Sequence, residues 1–478
     1  MKSDHWSLLK HSRNYLLANV ATKALAFVSI PVYTRLMTVE EYGVVNVFLS
    51  VSGIVAILIT LNSDVAISRY YYEAKSNEDF KEFVGTTISL SIVICIIMSI
   101  IGLCFISVIS ELLSFPVLLT LSLLPVGLYK KTNIIFTQIY QPMEKSKVVA
   151  AVSSIQVYLA FILSAICILL FEKDKYYGYV LGVILAMLIT GVYMFKKIKA
   201  YCTLCFKKSH LFYILNFCLP YIPYSLSGII ISQFARIFIS SQEGYNSAGV
   251  YSLANNLTAL MLVAIFTTHD AWNPFYFRYM NQKDYNSLTT DYDLIWRVTI
   301  LAALFISLFA LEGGIILAGY DYYGSLYICP ILVLGYLFYQ WAYVYLRNTG
   351  YAKRNIWNAL AVIISGFSNV IFNALLIPAF SDLGGAMSLM LSYLLLMIIS
   401  YSINKFVLKL FAPPFKNFFY PLVFFAPIIV ACVKFYTLGF SLWLFVLKVA
   451  LFVFLFLILI LPYRERAIDM IKQIKNKN

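Results

Sequence analysis

Apolar runs of about 20 residues recur along this chain, and few folds accommodate that, because about 20 helical residues cross the hydrocarbon core of a bilayer. Fourteen such runs lie near 14–36, 43–66, 84–109, 115–140, 148–171, 177–195, 211–239, 245–270, 292–319, 324–346, 355–380, 383–404, 418–437 and 441–461. Lys and Arg mark every second loop between them. If the amino end is inside, Lys2, Lys10 and Arg13 share a side with Arg69, Lys75 and Lys81, with Lys145 and Lys147, and with the stretch from Lys196 to Lys208. Arg278, Lys283, Arg347, Lys353, Arg354, Lys405, Lys409, Lys416 and the tail from Arg464 continue that side. The opposite turns carry acids such as Glu40, Glu41, Glu111, Glu172, Asp174, Glu243, Asp321 and Asp382. Positive charge collects in cytoplasmic loops, so the alternation predicts both termini in the cytoplasm. The first run has no small-residue cleavage site and reads as a retained helix. With 61% hydrophobic and 12% charged residues, the expected class is an all-α polytopic membrane protein.

The net charge of +14 follows from the same pattern, since the basic residues track an inner leaflet with anionic lipids. It calls for no nucleic acid. The loops are too short to house a soluble catalytic domain. No G-x-x-x-x-G-K-[ST] phosphate loop and no H-E-x-x-H occurs, so neither nucleotide hydrolysis nor a zinc peptidase site is expected. Most of the eight Cys sit inside apolar runs, and Cys202 with Cys205 forms a lone C-x-x-C with only His210 near it. That is short of a zinc site. No cofactor and no metal is expected, and the chain does not read as an enzyme.

One turn is written twice. RLMTVEEYGVVNVFLS (Arg35 to Ser50) and RIFISSQEGYNSAGVYSLANNL (Arg236 to Leu257) each leave an apolar run through an Arg, cross an acidic turn and re-enter through Gly-Val. The first joins spans one and two, the second spans seven and eight. An even offset of six spans predicts a parallel repeat about an axis along the membrane normal. The expected organisation is a lobe of six helices over 1–207, a second over 208–410, and an extra helix pair with a basic tail over 411–478. Two such lobes are the architecture of alternating access.

Ionisable groups at bilayer depth are costly and are read first as cavity-lining. Lys23, with Asn19 one turn away, lies near the middle of span one. Lys130 and Lys131 lie in span four, with Thr137 and Gln138 continuing their faces. Snorkelling to the headgroups is the competing reading for these lysines. Arg236 and Arg35 close equivalent spans at the outer end, where a turn-stabilising role competes with cargo contact. Asp64 with Arg69, and Asp270 with Arg278, flank inner helix ends as candidate latches. Pro220 and Pro223 invite a gating kink in span seven. Glu312 and Lys448 are also deep but fall outside this pattern.

The segments IPVYTRLMTVEEYGVVNVF, SDVAISRYYYE, AGVYSLANNL, HDAWNPFYFR and LLIPAFSDLGGAMSLMLSY, in that order, resemble the oligosaccharide and O-antigen flippases of the polysaccharide transporter family. That family belongs to the multidrug/oligosaccharidyl-lipid/polysaccharide (MOP) exporter superfamily, and the resemblance runs over about residues 8 to 405. It implies a bacterial inner-membrane protein carrying undecaprenyl-diphosphate-linked repeat units from the cytoplasmic to the outer leaflet, for O-antigen, lipopolysaccharide or capsule assembly. Implied partners are the lipid-linked oligosaccharide and membrane lipids, with a polysaccharide polymerase and a chain-length regulator as candidates. Where many relatives carry Asp before the Arg ending span seven, this chain has Ala235. That leaves an acid-dependent role there in doubt. A cation-coupled multidrug exporter is the alternative, and a membrane polymerase or ligase a more distant one.

Overall fold

The computed structural model describes residue 25 and residues 28–461 apart from 64, 220 and 414. Lys23, Asn19, Asp64 and Pro220 lie outside the described residues. Every regular element among those described is helical.

The chain divides into two compact units, one running to Ile229 and including Ser240–Gly249, the other comprising Ile230–Ile239 and the chain from Val250 onward. The first unit holds α1 (residues 28–36), α2 (Val39–Thr60), α3 (Val65–Glu73), α4 (Asn77–Cys104), α5 (Ile106–Leu113), α6 (Val117–Tyr140), α7 (Ser146–Leu169), α8 (Tyr176–Lys199) and α9 (Lys208–Cys218). Helix α10 (Tyr221–Glu243) contributes to both units. The second unit takes most of α11 (Tyr245–Thr258), then α12 (Leu260–Gln282), α13 (Tyr285–Leu317), a 3-10 turn (Tyr320–Ile328), α14 (Cys329–Tyr351), α15 (Asn355–Ser402), α16 (Phe415–Thr437) and α17 (Leu442–Ile460).

Among the described residues, ten helical segments are long and apolar enough to cross a membrane, and α5 with α6, bent by 99°, makes an eleventh if the pair is one span. The lower number than the fourteen expected has local causes. The first run falls largely outside the described residues. Runs eleven and twelve are joined in the 48-residue α15, whose roughly 72 Å length would overshoot a bilayer. Non-helical geometry at Ser381 (φ 55°, ψ −129°) breaks it. Its two halves then fold against each other. Asn369 Nδ2 donates to Ser392 Oγ at 2.9 Å, and a Cβ at Gly384 would fall on the Leu376 carbonyl. Helices α7 and α8 form the corresponding hairpin in the first unit, where a Cβ at Gly178 would stand 2.7 Å from the Cys167 carbonyl oxygen.

Run seven is interrupted. Helix α9 ends at Cys218 and α10 starts at Tyr221, so Pro223 is the third residue of a helix. There its missing N–H costs no intrahelical bond.

The repeated turn has a local explanation in both copies. In the first, Thr38 and Glu41 form a capping box, with the Glu41 N–H donating to Thr38 Oγ1 at 3.2 Å and the Thr38 N–H to Glu41 Oε2 at 2.9 Å. In the second, Gly244 (φ +86°) separates α10 from α11. The two glycines meet reciprocally: a Cβ at Gly43 would fall on the Tyr245 carbonyl oxygen, and one at Gly249 on that of Val39. Gly43 to Gly249 and Val39 to Tyr245 are the same step along the sequence. Only glycine permits that approach of backbones at both sites.

Candidate functional site

Helix α6 carries the pair of lysines, and neighbouring residues on a helix point about 100° apart. Their fates differ accordingly. Lys131 is 2% exposed, and its ammonium donates to Ser63 Oγ at 2.8 Å in the turn after α2. Lys130 turns to the other side, where its Nζ donates to Ser52 Oγ at 2.8 Å and lines a cavity of about 360 Å³ in the first unit. The two helices meet closely here because α6 offers Gly127, whose Cβ would stand 2.8 Å from Ile59 Cδ1 and 3.2 Å from Val55 Cγ1 of α2.

Residues from four helices and one turn line the cavity, and its polar groups come from α6, α7 and the turn after α2. Asn133, one turn beyond Lys130, donates to Gln156 Oε1 of α7, which leaves the Gln156 NH₂ for another acceptor. Asn62 is held by its Nδ2, which donates to the Tyr221 carbonyl and to Ser225 Oγ, both at 3.0 Å. Tyr129 sits beside Lys130 with its hydroxyl 2.7 Å from Thr190 Oγ1 of α8. Ile57, Ile134 and Ile229 supply apolar wall. No carboxylate among the described residues lies within ion-pair distance of the Lys130 ammonium. One hydrogen bond uses one of its three N–H groups. The site therefore offers a positive charge, carboxamides and apolar wall together, which suits an anionic, hydroxyl-rich ligand.

The remaining sequence candidates are dispersed. Gln138 accepts from Ser68 Oγ of α3 and is not among the cavity-lining residues. Arg69 bonds Glu73 at 2.8 Å and lies 4.8 Å over the Phe217 ring. Arg236 is 6% exposed in the second unit, its Nη1 donating to Gln233 Oε1 at 3.0 Å and its Nη2 to Asn256 Oδ1 at 2.7 Å. Arg35 is exposed at the end of α1. Asp270 and Arg278, both exposed on α12, form no ion pair with each other.

Two candidates that the sequence left apart are together: Lys448 Nζ of α17 pairs with Glu312 Oε1 of α13 at 2.7 Å, with both residues buried.

The connection to α9 is anchored by polar contacts. Tyr70 donates to Asp79 Oδ2 at 2.9 Å, His210 Nε2 is 3.1 Å from Asp79 Oδ1, and Lys207 pairs with Glu82 at 2.7 Å. Asp79, Glu82 and His210 thus converge with partners already in place. Nearby, the Arg69 guanidinium and the Tyr213 hydroxyl hold the Glu73 carboxyl below its ordinary range.

Sequence reasoning missed Ser52, Asn62, Asn133 and Gln156. Asn133 and Gln156 were detectable as carboxamides inside apolar runs, but their pairing depends on the relative rotation of α6 and α7.

Helical units built from glycine-tightened hairpins, with ten or more helical segments long and apolar enough to cross a bilayer among the described residues, define a multi-pass membrane protein. Solved structures share the fold. The lipid II flippase MurJ in an inward closed conformation aligns with a TM-score of 0.69 at 15% identity, covering 95% of this chain and all of that one. An inward-facing multidrug resistance MATE transporter of the MOP superfamily aligns at 0.65 and 17% identity, covering 81% and 94%. A MOP superfamily transporter from Pyrococcus furiosus aligns at 0.56 and 16%, covering 85% and 96%. A protein of the Lsg locus of Haemophilus influenzae is 25% identical over 283 residues, 58% of this chain and 67% of the relative. Residues 8–280 match the polysaccharide biosynthesis protein family. The chain belongs to that family.

Proposed function

We propose that the protein is a flippase that moves undecaprenyl-diphosphate-linked oligosaccharide repeat units from the cytoplasmic to the outer leaflet of a bacterial inner membrane, by alternating access. Both termini are then cytoplasmic, and the product feeds surface polysaccharide such as O-antigen or capsule. The observation that carries this reading is Lys130, a cation in the cavity with no carboxylate partner among the described residues. A charge at that depth costs about 2.5–3.5 kcal/mol on insertion scales. Its retention is explained if an anionic cargo supplies the counter-charge. Lys23 is proposed to face the same cargo. A phosphate head on an apolar tail matches a cation set among isoleucines, and hydroxyl-rich sugars match Asn133 and Gln156. A cationic drug does not match it.

The test is a chromosomal deletion complemented by wild type, Lys130→Gln or Lys130→Arg, with surface polymer and the leaflet position of the lipid-linked repeat unit measured together. Wild type should restore surface polymer. Lys130→Gln should leave intact repeat units on the cytoplasmic leaflet with translocation reduced about tenfold or more, the effect of losing about 1.4 kcal/mol of charge complementarity, and Lys130→Arg should recover part of it. Normal polymer in the deletion strain, with altered sensitivity to cationic drugs, would overturn the reading in favour of an exporter.

A further inference from the structure

The second unit holds a cation that the α6 cavity does not use. Arg347 lies near the end of α14, half-buried, with its guanidinium 4.1 Å from the ring centre of Tyr276 and 5.4 Å from that of Trp272. One arm is 3.2 Å from His269 Nδ1, and the other donates to Asn273 Oδ1. His269, Asn273 and Tyr276 are spaced to lie on one face of α12. That face therefore presents two acceptors and an aromatic ring to a single guanidinium. Because arginine only donates, the His269 nitrogen facing it carries no proton, and both acceptors are neutral.

The charge is not cancelled locally. Arg347 makes no ion pair among the described residues, Asp270 beside His269 is exposed and makes none, and Asp291 of α13 accepts from the Trp272 indole at 2.9 Å. On its buried side His269 hydrogen-bonds Gln340, and both residues are 1% exposed, so the ring is held in place behind the guanidinium. Tyr343 stands edge-on to His269 at 4.8 Å. A guanidinium stacked on rings, pinned by two neutral acceptors and holding further N–H groups in its planar fork, is preorganised for bidentate capture of an oxyanion.

We infer that Arg347, oriented by His269 and Asn273, is a second anion-binding site of this protein and takes lipid-borne phosphate. The source is the diphosphate of a prenyl-linked cargo or the phosphodiester of a membrane lipid. Assignment to cargo rests on the flippase reading. The site itself does not.

The experiment uses the full-length protein in phosphatidylcholine nanodiscs, with farnesyl diphosphate titrated as probe and phosphatidylglycerol as competitor. The proteins are wild type, Arg347→Lys, Arg347→Gln and His269→Gln, each checked by size exclusion and thermal melting. Farnesyl diphosphate affinity should fall about tenfold or more in both Arg347 variants, the lysine included because it lacks the fork, and less in His269→Gln. If phosphatidylglycerol displaces the probe and its own binding is lost in the same variants, the site takes membrane lipid. Equal affinity in wild type and in a folded Arg347→Lys overturns the inference and leaves the flippase reading standing. Absence of farnesyl diphosphate binding to wild type, with phosphatidylglycerol binding still dependent on Arg347, keeps the site and counts against the flippase reading. Absence of both overturns the inference.

Discussion

At the scale of single residues, Lys130 and Lys131 contrast a proposed cargo contact with a packed side chain. Lys131 is buried on Ser63, so Lys131→Ala should destabilise the protein by roughly 1–3 kcal/mol, the range for a buried polar partner left unmatched. Thermal melting in detergent checks this, and a folded yield and melting temperature equal to wild type would contradict it. Lys130→Gln should melt like wild type, because its side chain faces cavity rather than packed protein. Depth in a span was legible in the sequence for both lysines. Which of the two faces the cavity was not, since 100° of helical phase only acquires meaning once Gly127 sets how α6 lies on α2.

At the scale of elements, the helices beyond the expected repeat are bound to the second unit by charge as well as by rings. Glu312 and Lys448 pair at 2.7 Å, Tyr436 of α16 donates to the Ser307 carbonyl at 3.0 Å, and Phe309 of α13 contacts Phe445 and Phe452 of α17 edge-on. A buried pair broken on one side leaves an uncompensated charge, at a cost of about 3–5 kcal/mol, whereas replacing both partners by apolar residues of similar size is often neutral. Glu312→Gln or Lys448→Met alone should therefore sharply lower the melting temperature, and the double variant Glu312→Met/Lys448→Met should return close to wild type. A double variant as unstable as the singles would rule this account out. Hydropathy alone located α16 and α17, and both charged residues were visible as deep. Their partnership was hidden because they are far apart in sequence. The broken run at Cys218–Tyr221 was hidden for another reason: proline marks a helix start and a kink alike.

At the scale of the whole molecule, a turn is written twice in the sequence, and the two copies meet through their glycines. Gly43 and Gly249 each occupy space that a methyl group would take from the other turn's backbone. Gly43→Ala and Gly249→Ala should each destabilise the protein, the double variant more than either, while Gly228→Ala, with no atom near the added carbon, should be tolerated. Thermal melting of the four proteins decides it. A contact in which one position touches a second while the second's counterpart touches the first's is the kind that identical subunits make across a two-fold axis. Here both partners of such a contact belong to one chain and one compact unit, so it forms without any step of association.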